Sequence, residues 1–259
     1  MTRPRKTTNQ REEEILRELQ RAGGSCRVSY LANRLNVSNE TIRRNIRTLE
    51  DAQAVRKVHG GVHLVETVTE QPFQSRMDTH AQEKARLAAS VVEMISDGDS
   101  VFLDIGSTTA YVATALKARS NLLIVTNSVF VAYTLSSHNN NRVFLAGGEL
   151  RQHDGGAFGA EAIELVQKLN VQFAILSIGA ISAEMGFMLH DLQEANLTKI
   201  AAKNAQIRIA VADGEKFNKR APIALDSSVQ LDVLVTDQDP PAEIASMLRD
   251  RDIDLVVAN

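Results

Sequence analysis

Two kinds of chemistry are written into this chain, far apart from one another. Near the amino end, Asn39, Glu40, Thr41, Arg43, Arg44 and Arg47 fall within one helix-length stretch. Arginine reads guanine edges with paired donors and also grips phosphates, so such a stretch suits a DNA major groove. Further on, Asp104-Ile105-Gly106-Ser107-Thr108-Thr109 joins a β-prone run to a helical one. Glycine lets a backbone approach closely, and hydroxyls with the free N–H groups of a helix start suit a phosphate. The same hydroxyls suit plain helix capping equally well. Thr126-Asn127-Ser128 and Gly147-Gly148-Glu149 end the next two β-prone runs, and three consecutive polar or glycine turns favour a site over three unrelated caps. Asp191 and Glu194 stand three apart at a loop-to-helix junction, with the side chains of acid–base catalysis. His153 and His190 lack a second ligand type at suitable spacing, so no metal site is expected.

The elements that must position the cationic stretch follow from apolar spacing. Ile15, Leu16 and Leu19, then Val28, Leu31, Ala32 and Leu35, then Ile42, Ile46 and Leu49 recur at helical intervals. Three short helices are implied. Gly23-Gly24 ends the first, Ser38 caps the third, and only Asn36 and Val37 separate Leu35 from that cap. Residues 26–45 therefore read as a helix-turn-helix. With Ile42, Ile46 and Leu49 turned inward, Glu40, Arg44 and Arg47 lie on the outer face and Arg43 on a flank. Glu40 and Arg44 could be no more than a solvated i,i+4 pair, but the helix closes a three-helix unit, which favours DNA. Residues 54–64 form two β-prone runs around Gly60-Gly61, a hairpin wing that brings Arg56, Lys57 and His59 near a DNA backbone.

Residues 65–80 read as a linker and 82–95 as a helix. Strands are expected at 101–104, 122–126, 143–146, 173–178, 207–212 and 233–236. Helices are expected at 109–116, 129–136, 160–169, 194–204 and 242–249. Strands apolar on both faces, alternating with helices, argue for a mostly parallel sheet covered by helices, with ligands bound at the carboxyl ends of its strands. The organisation expected is a DNA-binding head over 1–64 and an α/β body over 81–259.

Composition agrees. At 259 residues, with 44% hydrophobic and 24% charged residues, two folded domains are the prior, and collagen or a disordered chain is excluded. The single Cys26 forms no disulfide within the chain, and neither a membrane span nor a secretory signal is apparent, which suits a cytoplasmic protein. The net charge of −3 hides an asymmetry: residues 1–62 hold 13 Lys+Arg against 7 Asp+Glu, and the remainder 16 against 25. A head of +6 on a body of −9 fits a nucleic-acid binder whose larger part avoids DNA.

The run VSNETIRRNIRTLEDAQAVRKVHGGV resembles the winged helix-turn-helix of the deoxyribose-operon-repressor (DeoR) family of bacterial transcription factors. Val37, Ser38, Thr41, Ile42, Arg43, Arg44, Leu49, Glu50, Arg56, His59, Gly60 and Gly61 carry the match. Asn45 departs from it; the family usually has aspartate there, a carboxylate able to orient a neighbouring arginine. DIGSTT, VTNS, AGGELRQHDGGAFG and VADGEKFNKRA resemble the same family's effector domain, which is similar in fold to ribose-5-phosphate isomerase and coenzyme A transferases. The resemblance spans about residues 9–240.

It implies that Asp104, Gly106, Ser107, Thr108 and Thr109 hold phosphate. Thr126, Asn127, Gly147, Gly148, Arg151, Asp154 and Gly155 would border the pocket, with Glu194 and Lys216 toward the sugar or polyol end. The ELRQHDGG loop is similar to that of members answering to glycerol 3-phosphate, whereas LHDLQEAN departs from them, so another phosphate ester stays open. Isomerases of this fold use an acidic DGADE-like loop and a lysine-glycine loop, and neither occurs here. The expectation is a repressor of a catabolic operon, bound as a dimer or tetramer to double-stranded operator DNA and relieved by a phosphorylated sugar or polyol, with no cofactor. The alternatives are an isomerase-like enzyme with an appended head, and a constitutive DNA-binding protein whose body only oligomerises.

Overall fold

A computed structural model describes residues 10–21, 24–52, 54–64, 72–226 and 228–258. Gly23 and residues 65–71 of the expected linker lie outside them. The chain divides into two compact units, Met1–Thr69 and Glu70–Asn259.

In the first unit, α1 (Gln10–Arg21), α2 (Val28–Arg34) and α3 (Asn39–Asp51) pack with a three-stranded antiparallel sheet of β1 (Ser25–Arg27), β2 (Val55–Val58) and β3 (Gly61–Leu64), in the order β1-β3-β2. The apolar positions that set the helical spacing form the core: Ile15, Leu19, Leu31, Ile42, Ile46 and Leu49 are buried, with Val55 and Val62 of the hairpin beneath them. Each such side chain contributes roughly 1.5–3 kcal/mol on burial. Strand β1 has no counterpart among the expected elements, because three residues are too few to show a period of two.

The second unit begins with α4 (Phe73–Asp78) and α5 (Ala81–Glu93). Residues 73–78, read as linker, are thus helical. Then come β4 (Ser100–Leu103), α6 (Ser107–Ala115), β5 (Leu123–Thr126), α7 (Val129–Ser136), β6 (Arg142–Leu145), α8 (Ala160–Gln167) and β7 (Val171–Ser177). A small antiparallel sheet of β8 (Ala180–Ser182), β9 (Gly186–Leu189) and β11 (Ile223–Ala224) surrounds α9 (Leu192–Lys203) and β10 (Ala205–Val211) in sequence; β12 (Val233–Thr236), α10 (Ala242–Asp250) and β13 (Asp254–Val257) complete the unit. The main sheet has seven strands in the order β13-β12-β10-β7-β4-β5-β6, every pair parallel. Alternate strand residues feed opposite faces. Phe102 belongs to the apolar cluster that also holds residues of α8, α9 and α10, whereas Val101 and Leu103 belong to the cluster with residues of α5, α6 and α7. The small sheet and β13 were not foreseen, since their short runs carry no distinctive period.

The order fixes where a ligand fits. From β4 the chain steps outward to β5 and β6, then returns to lay β7 on the other side of β4. The carboxyl ends of β4 and β7 therefore flank a topological switch point, where loops diverge and leave a crevice.

Candidate effector cleft and nucleic-acid interface

In the first unit, Ser38 caps α3: its Oγ accepts the Thr41 N–H at 3.1 Å and shares a 2.9 Å contact with the Thr41 hydroxyl. That fixes the start of the helix and leaves Asn39, Glu40, Arg43, Arg44 and Arg47 exposed on its outer side. Glu40 lies 3.8 Å from Arg43, so the acidic residue pairs one turn along at i+3 and not with Arg44 as the spacing suggested. Both partners are exposed, where such pairs contribute little. Asn45 is buried and its Nδ2 donates to the Thr41 carbonyl at 2.9 Å. Its departure from the family pattern therefore bears on packing and not on the outer face.

The wing is held against α3 by Lys57. Its N–H donates to Glu50 Oε1 at 3.1 Å and its Nζ pairs with the same carboxylate, which keeps the Glu50 carboxyl below its ordinary range. Gly60 turns the hairpin at φ 74°. Gly61 lets β3 approach β1, where a Cβ would stand 2.7 Å from the Cys26 carbonyl oxygen. Between α3 and the wing runs a groove of about 350 Å³ lined by Arg43, Arg47, Lys57, Val58 and Gly60 among others. Arg56 and His59 are exposed on the wing. A cationic groove beside an exposed arginine face is the arrangement that straddles a phosphate backbone while a helix enters the major groove.

In the second unit, a narrow cleft opens at the switch point, lined by Arg76, Asp104, Ile105, Gly106, Asp154, Ser177, Gly179, Leu189, His190 and Glu194. Asp104 ends β4 almost fully buried. It accepts the Ile105 N–H at 2.8 Å and the Thr198 hydroxyl at 3.3 Å. Burial, then the charge of Glu194, push its carboxyl up to about 7 despite those donors. Gly106 follows at φ 152°, and a Cβ there would meet Ser177 Oγ at 2.4 Å. The N-cap position of α6 is thus a glycine without a side chain to offer. Ser107 and Thr108 stand inside the helix instead of capping it, and Thr109 Oγ1 donates to the Gly106 carbonyl at 3.0 Å. The first-turn N–H groups face the loop without intrahelical acceptors, as every helix start does.

The opposite wall is built from two distant segments. Asp191 caps α9, its Oδ1 accepting the N–H groups of Gln193 at 2.8 Å and Glu194 at 3.1 Å. This cap sets Glu194 toward Arg151. Arg151 donates from Nε to both oxygens of Asp154 at 3.1 Å, pairs through Nη2 with Asp154 and Glu194, and stands 3.5 Å from Asp191. Its guanidinium lies over the Phe158 ring, 4.4 Å from the centroid. Burial opposes the charge on Arg151, but Asp154 and Glu194 outweigh it and raise its proton affinity. Burial likewise disfavours the Asp154 carboxylate, while Arg151 and the Gly156 N–H hold it below its ordinary range. Gly156 makes the fold of this loop feasible, since a Cβ would press on Ile105 at 2.5 Å and on the Phe158 ring at 2.7 Å.

Of the residues expected at the pocket, Asp104, Gly106, Asp154 and Glu194 line the cleft, Arg151 joins the last two, and Ser107 to Thr109 continue from Gly106. Thr126, Asn127, Gly147, Gly148, Gly155 and Lys216 are not among its lining. Thr126 Oγ1 accepts the Ser128 N–H at 3.1 Å, which shapes the turn into α7. Asn127 is fully buried, and neither atom of its amide has a hydrogen-bond partner among the described residues. Gly148 and Gly155 carry positive φ in the 147–159 loop, and Lys216 ends a short 3-10 turn after β10. Arg76, Ile105, Ser177, Gly179, Leu189 and His190 were not foreseen as a set. His190 drew notice only as a metal ligand, and Arg76 sits in a stretch with no periodic signal. Among the described residues no group of three His, Cys, Asp or Glu could hold a metal ion, and no helix is long and apolar enough to cross a membrane.

Comparison with known proteins places both units. Residues 11–68 match the DeoR-like helix-turn-helix domain and residues 79–238 the DeoR C terminal sensor domain. The chain is 33% identical over 251 residues to the HTH-type transcriptional repressor CsqR of Escherichia coli (strain K12), covering 97% of this chain and 96% of that one. It is 34% identical over 246 residues to the glycerol-3-phosphate regulon repressor of the same organism, covering 95% and 97%. Among solved structures, a D-ribose-5-phosphate isomerase in complex with phospho-erythronic acid is similar at 17% identity and a TM-score of 0.40, over 53% of this chain and 54% of that one. The two domain matches, in this order along one chain, show that it belongs to the DeoR family of helix-turn-helix regulators.

Proposed function

We propose that this chain is an operator-binding repressor of a catabolic operon, working in the cytoplasm and relieved by a phosphorylated sugar or polyol. The observation that carries the effector half is one cleft that joins a helix start capped by glycine to a set of carboxylates. The N–H groups of α6 suit a phosphate, with Gly106, Ser107, Thr108 and Thr109 around it. Asp104, Asp154 and Glu194 suit sugar hydroxyls, with Arg151 holding the two charged ones in place. Thr126, Asn127, Gly147, Gly148 and Gly155 shape the neighbouring loops, and Lys216 supports the far end.

In the head, Asn39, Glu40, Thr41, Arg43, Arg44 and Arg47 meet base edges and nearby phosphates. Ser38 sets the helix start, and Arg56, Lys57 and His59 meet the backbone. A homo-oligomer, dimer or tetramer, presents paired heads to half-sites. Effector binding need only favour the conformation that releases DNA: a 100-fold preference weakens operator binding by up to about 2.7 kcal/mol.

The test combines thermal shift with a panel of phosphorylated sugars and polyols and gel shift on the gene's own promoter DNA. One ester that raises the thermal midpoint and releases the DNA is the expected result. Equal affinity for random DNA at physiological salt would overturn the repressor reading. A second reading, a sugar-phosphate isomerase, draws on the Asp104 carboxyl near neutrality beside Glu194. Against it, Glu194 is engaged by Arg151, and among the described residues no lysine lines the cleft. Turnover of ribose 5-phosphate that survives repurification would restore it.

A further inference from the structure

Strand β6 forms one edge of the main sheet: among the described residues it pairs with β5 alone. Its backbone bonds fix which groups are left over. The Arg142 N–H donates to the Leu122 carbonyl at 2.8 Å and the Ala146 N–H to that of Thr126 at 2.7 Å. By the alternation of a strand, the N–H and C=O groups of Val143 and Leu145 therefore point away from the sheet. Such a free row is a template for another strand, and proteins commonly blunt it with lysine, proline or a charge. Residues 143–146 hold none of these. The surface beside them is apolar as well: Leu145 is 41% exposed, and Tyr133 of α7, the helix joining β5 to β6, is 82% exposed. Opposite charges mark the two ends of the segment. Arg142, its guanidinium 5.6 Å from the centroid of the Phe144 ring, precedes the free row, and Glu149 follows it; both are exposed, and neither has an ion pair among the described residues.

Resting on the homo-oligomer of the reading above, we propose that β6 docks a second copy of this chain, the two strands pairing antiparallel about a twofold axis through Phe144. The register follows from the free groups. Antiparallel partners exchange both hydrogen bonds only where both residues present outward groups. Val143 against the partner's Leu145, and the reverse, meets that condition twice and engages every free group of both strands. Phe144 then faces its own counterpart as a pair without hydrogen bonds. The antiparallel sense also carries Arg142 to the strand end from which the partner's Glu149 follows, so each free cation meets a free anion. Leu145 lies on the α7 side of the sheet, because Val143, two residues before it, packs against the cluster that holds residues of α7. The twofold axis thus lays α7 beside its counterpart, where Tyr133 and Leu145 lose contact with water. Glu149 lies just before the loop that supplies Arg151 and Asp154 to the cleft wall, which sets the subunit contact next to the effector site.

The full-length protein is followed by sedimentation velocity and by crosslinking in a Cys26→Ser background. In the twofold register the Cα atoms of residue 144 in the two copies stand about 4.5 Å apart, within disulfide reach. Those of residue 142 stand about 13 Å apart, four residues of strand. Phe144→Cys should therefore give a covalent dimer under mild oxidation, whereas Arg142→Cys, at a more exposed position, should not. Arg142→Glu and Glu149→Arg should each raise the dimer dissociation constant about 10-fold, since the symmetry sets two like-charge contacts in every dimer. The two changes together should restore the wild-type value. Should Phe144→Cys fail to fold, the charge swap decides alone. An oligomer that persists while Phe144→Cys stays uncrosslinked, or a double swap no better than either single change, overturns this interface and spares the homo-oligomer reading. A wild type that sediments as a monomer at every concentration overturns both.

Discussion

Replacing Arg151 with Met is the most searching perturbation of the cleft, because it removes a charge that two buried carboxylates share while a flexible apolar chain keeps its place on the Phe158 ring. The side chains of Asp154 and Glu194 are 1% and 13% exposed. Breaking a buried pair costs about 3–5 kcal/mol; Arg151 is 17% exposed, so the lower end, about 3 kcal/mol, is expected. For a unit of this size, that is a fall of about 6–12 °C in Tm. The pH dependence carries the diagnosis. In the wild type, Asp154 is held below its ordinary range, so its contribution is complete above the unfolded value and is lost only as pH falls through the folded one. In R151M both carboxylates are desolvated without a cation, their folded values rise, and stability falls as pH climbs from about 4 to 8. Urea unfolding at several pH values reads the difference between the two proteins. A loss under about 1 kcal/mol at pH 8, or a gap unchanged between pH 5 and 8, would refute the account of Arg151 as the charge that holds this wall together.

Asp104→Asn tests the buried carboxyl at the end of β4. The folded value, about 7, lies above the unfolded one, so the contribution of this group is fully present below the unfolded value and is lost as pH rises through 7; the variant should lack that component of the urea midpoint's pH dependence. Ser38→Ala removes the α3 cap and should cost the first unit about 1 kcal/mol, read by thermal melting, with a midpoint unchanged in the isolated second-unit signal. Arg43→Ala with Arg44→Ala should abolish preference for promoter DNA over random DNA and reduce the salt dependence of binding by about two counterions, while far-UV circular dichroism stays unchanged; retained preference would mean that another face reads the DNA.

Local order was legible because it is written locally. Ile42, Ile46 and Leu49 announce the inner face of α3 by their spacing, and so place Arg43, Arg44 and Arg47 outside it. The turn after β4 announced itself through Gly106 and three hydroxyls in succession. Strand β1, the small antiparallel sheet and α4 were silent, since elements of a few residues hold too little pattern and owe their conformation to what they pack against.

By itself, then, the sequence determined the division into a cationic head and an acidic body, the helix-turn-helix with its wing, and the alternation that makes a parallel sheet. All of these depend on periodicity and charge within short windows. The resemblance named Asp104, Gly106, Arg151, Asp154 and Glu194 as pocket residues; only the tertiary structure decided which others join them and which contacts bring them together. Arg151 meets Glu194 across 43 positions of chain, and Arg76 arrives from a stretch read as a connection. The physical reason is that a strand order reversing between β4 and β7 opens a crevice whose walls come from whichever loops return to it, and no spacing along the chain records that return.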